Sequence, residues 1–440
     1  MKISLLLLFT ILILNSLLHS QPQTKSDSLL QDGTLQNCVQ FALEHQPQIQ
    51  QTLIDEQITD REINSKLADW FPQINFNFNV IHNYQLPVSI VGSTATEVGL
   101  PNSSSGLFSV TQNIFSQDVL LASTTAGDVH KQAEQITTNN KISVIVDVSK
   151  AFYAVLLALD QIDLLNDDIA RLEQNLKDTY NQYKKGVVDK TDYMRASIAL
   201  NNALAEKKQD DELLKVSNAR LKELMGYPAN ADLILDYNRA QMENDVYIDT
   251  TQKVLLENRI EYRLLQTRER LQQANLSYYE WNFIPSVYAF GQYNFNYYSD
   301  QWSKMYNKNY PNSYIGIGLS VPIFTGGRRI QEIDQAELEL KRVELDFTSL
   351  KDSFSTEYAQ ALANYKSNLN NYNVQKSNLE LAKDVYKIIQ LQYKSGIKTY
   401  LDVITAETDL RTTQVNYITA LYMVLSSKLD VQKALGTIKY

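Results

Sequence analysis

Two periodicities alternate along the chain, and each returns in the same order in the second half. Thr34 is placed to cap a helix, its hydroxyl available to an unpaired backbone N–H. Leu35, Cys38, Val39, Ala42 and Leu43 follow at helical spacing, and the pattern runs through Ile54, Ile58 and Ile63 toward Asp69. The period then drops to two. Ile74, Phe76, Phe78 and Val80 alternate with Gln73, Asn75, Asn77 and Asn79, which predicts a strand with one apolar and one polar face. A weaker alternation of Phe108, Val110, Gln112 and Ile114 with Leu107, Ser109, Thr111 and Asn113 predicts a second strand, with Pro101, Asn102 and the serines at 103–105 in the connection. From about Ser116 to Tyr183 there is no Pro, and the one Gly is Gly127. Val148, Phe152, Val155, Leu159 and Ile162 step by 4, 3, 4 and 3, a heptad-like seam for packing against other helices. Roughly 68 residues at about 1.5 Å each make a rod of about 100 Å, too long for a compact domain. Gly186 breaks it, and a return helix ends at Gly226 with Pro228 beyond.

The programme repeats. Val254, Leu255, Ile260, Leu264 and Leu271 carry a helix to Trp281. Val287, Ala289, Gly291, Tyr293, Phe295 and Tyr297 form one strand face, and Ile315, Ile317, Leu319, Val321 and Ile323 form the cleanest one in the chain. A long helix from Gly326-Gly327 to Tyr393 steps Tyr358, Leu362, Tyr365, Leu369 and Tyr372, and a return helix ends at Gly436. Gly186 to Gly226 and Gly396 to Gly436 are both 40 residues. The reading is a duplication: a signal peptide at 1–20, a first structural repeat at 21–240 and a second at 241–440. The first repeat carries strands at about 72–90 and 105–115, a long helix to about 184 and a return helix at about 190–225. The second carries strands at about 285–299 and 312–324, a long helix to about 394 and a return helix at about 398–435. Each hairpin turn has Tyr three before its Gly and Asp six after: Tyr183, Gly186 and Asp192, then Tyr393, Gly396 and Asp402.

Charge changes the picture of the strands. Residues 70–96, 98–117, 281–299 and 309–327 contain no Asp, Glu, Lys or Arg, and aromatics such as Trp70, Phe71, Tyr84, Trp281, Tyr298 and Trp302 crowd the strands and their ends. An apolar outer face, a polar inner face and aromatic girdles describe outer-membrane strands. Four strands cannot close, and open edges in hydrocarbon leave backbone groups unpaired at several kcal/mol each. The chain must then share a barrel with copies of itself, eight strands from two copies or twelve from three. Met1-Lys2 and the apolar run from Ile3 to Leu14, ahead of Ser20-Gln21, read as a secretory signal, too short to span a bilayer.

The order of these elements resembles the TolC family of outer-membrane efflux proteins. The stretch Leu35-Gln36-Asn37-Cys38-Val39-Gln40-Phe41-Ala42-Leu43, the closing Ala434-Leu435-Gly436-Thr437 and the Gly–x5–Asp tips carry the likeness over about residues 33–437. The resemblance implies a mainly α fold with membrane β structure, in which a homotrimer forms a 12-stranded β-barrel continuous with a long periplasmic α-helical barrel. It implies an outer-membrane exit duct of a tripartite efflux or type I secretion system, passively conducting what an inner-membrane transporter and a periplasmic adaptor protein deliver. It places Gly186, Val187, Gly396 and Ile397 at tips facing the adaptor. It also implies a gate in which Lys398 reaches toward Thr191 and Asp192, Tyr393 bonds toward Asp192, and Asp402 forms an acidic ring. Thr405 stands where the family pattern has a second carboxylate, and Lys398 where Arg is usual, so a point charge replaces a planar fork.

Other chemistry finds little support. A net charge of −9, from 41 basic and 50 acidic residues, lacks a nucleic-acid footprint. His19, His45, His82 and His130 are scattered without metal spacing, and the lone Cys38 lies in an apolar-periodic stretch as a small hydrophobe. No cofactor, metal or catalytic residue is expected. The alternative is a soluble periplasmic coiled-coil adaptor or scaffold, which would usually carry one hairpin and small β domains.

Overall fold

The computed structural model describes residue 30 and residues 32–439, so the signal segment at 1–20 lies outside the described residues. The chain opens with α1 (Leu35–His45), where the Thr34 hydroxyl accepts from the Asn37 N–H as a cap. The helical pattern does not run through to Asp69 in one piece. Pro47 bars the helical region to the residue before it, and Gln46 sits at φ −64°, ψ 123°. A second helix, α2 (Pro47–Leu67), starts there with Pro in its first turn and Gln46 as its cap.

The strands are β1 (Gln73–His82), β2 (Val88–Val91), β3 (Thr94–Glu97), β4 (Asn102–Phe115), β5 (Ser286–Ser299) and β6 (Asn312–Ser320). Four of them make one antiparallel sheet in the order β1-β4-β5-β6, while β2 and β3 form a separate small hairpin. The first strand therefore stops at His82, short of residue 90, and Asn102–Ser105 belong to β4 and not to a connection. Their small polar side chains fit the end of the sheet: Asn102 Oδ1 lies 2.7 Å from His82 Nδ1, and its amide donates to the Ser299 carbonyl at 3.1 Å. At the other end of the sheet β6 stops at Ser320, before 324, because Pro322 has no N–H to continue the ladder.

The register stacks like with like. Phe76 pairs with Phe108 and Phe108 with Tyr293, while Gly291, Ala289 and Val287 oppose Ile315, Ile317 and Leu319. One face of the sheet is thus apolar, and it faces out of the protomer: Ile315 is 89% exposed and Phe76 54%. On the polar face, Tyr288 and Phe290 lie over Gly318 and Gly316, where a Cβ would enter their rings. Those glycines make room for the two aromatics that interrupt the polar pattern.

The long helices are α3 (Gln117–Lys184), α4 (Lys190–Met225), α6 (Ile260–Trp281), α7 (Arg328–Lys394) and α8 (Tyr400–Leu435), with a short α5 (Arg239–Asn244) between the repeats. The core gathers where α1 meets α3 and the ends of the return helices, around Cys38, Ile49, Phe152, Leu156, Met225, Tyr365 and Leu421. Burial pushes the Cys38 thiol up to about 12, which fits a packing role. The most apolar 18-residue window of α3 is more than half buried in this core, which explains its hydropathy without a membrane. The repeats close alike. Gly226 and Gly436 take φ of 68° and 69°, and a Cβ at either would collide with the carbonyl of His45 or Asn258.

Candidate functional site: the paired hairpin tips

The two tips are built by one device. After α3, Gly186 takes φ 72°, its N–H bonds to the Tyr183 carbonyl at 2.9 Å, and Val187 N–H reaches back to Gln182 at 2.9 Å. After α7, Gly396 takes φ 73°, with 2.9 Å bonds from its N–H to Tyr393 and from Ile397 to Gln392. This is a Schellman closure, which needs a residue free of Cβ strain at the left-handed position. The side chains of Val187 and Ile397 are 69% and 72% exposed, so each tip ends in an apolar point.

The return helices start differently. Asp189 caps α4, accepting from Thr191 N–H at 2.9 Å and from its hydroxyl at 3.2 Å, and these bonds hold the Asp189 carboxyl below the usual range. Thr399 caps α8 in a reciprocal box: Asp402 accepts from Thr399 N–H at 2.9 Å and from its hydroxyl at 2.7 Å. The helix consequently begins at Tyr400 and not near 398. Bonds from the Thr399 hydroxyl, then its N–H, then the Lys398 charge hold Asp402 low.

The sequence-selected residues lie together at this end, and within one protomer they bond as follows. Among the described residues, neither Lys398 nor Tyr393 bonds to Thr191 or Asp192 within the protomer. Lys398 reaches Asp402 at 3.5 Å, one turn away on its own hairpin. The Tyr393 hydroxyl donates to Gln182 Oε1 at 3.3 Å, which ties α7 to the end of α3. Burial, then the nearby charges of Asp192 and Asp178, raise Tyr393 above the usual phenol range, although the Gln182 bond acts the other way. Asp192 is thus an electrostatic neighbour of Tyr393 without being its bonded acceptor. Thr191 is occupied by its own cap.

Sequence reasoning passed over a second cluster, roughly 12 Å along α8 from the tip at about 1.5 Å per residue. Glu407 of α8 accepts from Arg171 Nε at 3.4 Å and from the Asn175 amide at 3.3 Å, both on α3. Arg171 also pairs with Asp168, which is 2% exposed. Arg411 of α8 lies 4.0 Å from Asp168 and 3.4 Å from Glu206 on α4. Burial raises the Glu407 carboxyl, with Arg171 and Arg411 opposing the shift. The available signal was a carboxylate at seam spacing: Asp168 lies between Leu165 and Leu172, three and four residues from apolar neighbours on the stripe.

Two matched hairpins behind an uncharged four-stranded sheet define a membrane-anchored duct component. The outer membrane efflux protein family is matched over residues 38–227 and 253–437, and the chain belongs to that family. Outer membrane protein TolC of Vibrio cholerae is 22% identical over 404 residues, covering 90% of this chain and 89% of that protein. The Campylobacter jejuni CmeC outer membrane channel superposes with a TM-score of 0.74 at 16% identity, covering 92% and 85% of the two chains. The open-state Neisseria gonorrhoeae MtrE outer membrane channel gives 0.71 at 18% identity, covering 95% and 97%. The protein is an outer-membrane efflux duct with a large periplasmic portion, and the reading as a soluble adaptor is set aside by a family match spanning both repeats.

Proposed function

We propose that three copies assemble into a tunnel whose periplasmic end is gated by the hairpin tips and meets an adaptor protein and an inner-membrane pump. The observation that carries this is the open sheet. β1 and β6 each have one free edge, and in hydrocarbon such edges must pair with another copy. Three copies give twelve strands, wide enough for a channel, whereas eight fill with side chains. The pump supplies the energy, and the duct passes substrate down a gradient.

The repeat supports the same assembly in the helical region. Within the protomer, α3 of the first hairpin packs on α8 of the second. An offset of 210 residues maps Gly186 onto Gly396, and it maps that contact onto α7 packed against α4 of the next protomer. The faces that would meet are apolar and bare in one protomer: Leu381, Val385 and Ile388 on α7, Met194 and Ile198 on α4.

In the gate reading, Asp402 lines the constriction, Lys398 and Tyr393 hold neighbouring tips, and Val187 and Ile397 offer apolar points to the adaptor. Lys398→Ala with Tyr393→Phe should raise single-channel conductance in planar bilayers several-fold, and unchanged conductance would sink the gate assignment. Light scattering in detergent should give three times the protomer mass, while a dimer mass would overturn the stoichiometry. Co-purification with an adaptor and pump from the native host tests the partners.

A further inference from the structure

We infer that the linker between the two repeats forms a binding site for an amphipathic organic cation, with Asp236 and Asp245 as its counter-ions. The site lies away from the hairpin tips, and it stands whether or not the tips form a gate. Residues 227–259 join the repeats and contain α5. Three ties fasten this linker. Gly33 pairs with Leu235 in a parallel bridge, and the Asp236 N–H donates to the Gly33 carbonyl at 3.1 Å. Asn238 caps α5 by accepting from the Gln241 N–H at 3.2 Å. Lys428 of α8 donates to the Asp245 main-chain carbonyl. Among these ties a cavity of about 920 Å³ opens between the linker, the start of α1 and the faces of α3 and α8. Concave sites for small molecules run from about 300 to 1,000 Å³.

The lining divides by chemistry. Phe152 and Tyr153 of α3, Met242 of α5 and Leu425 of α8 supply an apolar wall. Asp236 and Asp245 line the same cavity from exposed positions. The basic side chains nearby are engaged elsewhere, Arg239 with Asp160 and Lys376 with Glu243, and neither Asp236 nor Asp245 has an ion-pair partner among the described residues. Burial, then the Asp245 charge, push the Tyr153 hydroxyl up to about 12. The field that disfavours a phenolate at this wall favours a cation there, and the neutral Tyr153 ring offers it a π face. Arg239 adds a further requirement. It lines the cavity, and its Nε–H is buried without an acceptor. A carbonyl or ether oxygen on the ligand would satisfy that donor. The chemistry that fits is a positive centre on an apolar body with one acceptor oxygen. An anion would be repelled by the two carboxylates, and a bare metal cation would leave the apolar wall uncovered.

The test uses purified full-length protein in a neutral detergent and a rhodamine ethyl ester, a fluorescent organic cation with a carbonyl oxygen, read by fluorescence polarisation against micelles alone. The wild type should bind it saturably, one per protomer. Asp236→Asn with Asp245→Asn should weaken binding about tenfold or more. Met242→Trp, which fills the cavity from α5 and removes no charge, should weaken it by a similar factor. Asp352→Asn with Asp384→Asn, which removes two exposed charges of α7, should leave it unchanged. Fluorescein, an anion of similar size, should not bind. Binding that survives both linker variants overturns the inference. So does an equal loss in the α7 control, which would mark adsorption to the general negative charge of the protein. Should the Asp236 and Asp245 variant fail to assemble, Met242→Trp decides alone, and undiminished binding by it overturns the inference. None of these readouts depends on conductance, so failure of the gate reading would appear separately.

Discussion

At the scale of single residues, buried charge marks where this protein is held and where it can change. Asp160 is fully buried, and it accepts from the hydroxyls of Tyr237 and Tyr422, each at 2.8 Å, while pairing with Arg239 of α5. Burial, then the hydrogen bond to Asp160 and its charge, push the Tyr237 hydroxyl up to about 12. Asp160→Ala would strand three donors at once, and we expect a loss of about 3 kcal/mol, read as a lower melting temperature of the helical signal in detergent. Asp160→Asn, which keeps an acceptor, should lose less. Glu407 behaves differently because its folded carboxyl lies above the ordinary value of 4.5. A raised carboxyl contributes stability that is present below its unfolded value and is lost as pH rises through its folded value. The groups facing it are Asp168 and Arg171 of α3, Glu206 of α4, Tyr386 of α7, and Tyr400 and Arg411 of α8. Lowering pH from 7 toward 4.5 should therefore stabilise the wild type relative to Glu407→Gln, measured as a widening difference in melting temperature. A constant difference would show that Glu407 carries no linked proton.

At the scale of elements, periodicity was readable and its interruptions were less so. The apolar stripes and the alternating strands pointed to the elements because both ride on a core or a bilayer that repays a regular pattern. Pro47 is a break that stripe-counting ran through, since Ile49, Thr52 and Leu53 resume the helical spacing after it. Asn102–Ser105 looked like a connection by composition, yet sheet pairing with His82 and Ser299 overrode that preference. The tips were legible as turns through Gly186 and Gly396. The cap bonds within each tip were not, because the pairing of Lys398 with Asp402 and the Thr399 box are set by local helix-start geometry. The charged α3–α8 seam was hidden for a further reason: its members lie 236 residues apart in the Arg171–Glu407 pair, and a lone charge on a stripe reads as solvated until its partner is known. The sheet offers an element-scale test. Gly318 sits under the Tyr288 ring and Gly316 under Phe290, with the nearest ring carbon 2.7 Å from a Cβ built at Gly316. Gly318→Val should lower the yield of assembled oligomer on detergent gels, and adding Tyr288→Ala should restore it in part. No recovery would place the defect in the backbone and not in the cross-strand contact.

At the scale of the whole molecule, equal lengths are the property most tightly specified. The outgoing helices α3 and α7 have 68 and 67 residues, and the return helices α4 and α8 have 36 each. A tunnel closed by tips needs both hairpins to end at one level, and a reach of about 100 Å tolerates no difference greater than a turn or so. Removing one heptad from each limb of a hairpin keeps the seam in register and withdraws its tip by about 10 Å. Applied to the α3–α4 hairpin alone, the deletion should leave the gate incomplete, so conductance rises and efflux fails. Applied to both hairpins, it keeps the tips level: conductance should stay low in bilayers while export in the host falls, because the shortened duct no longer meets its adaptor. The two readouts separate sealing, which depends on matched lengths, from docking, which depends on absolute length. If the matched deletion opens the channel as much as the single one, the tips do not form the seal. The closure would then have to be sought along the seams between the hairpins.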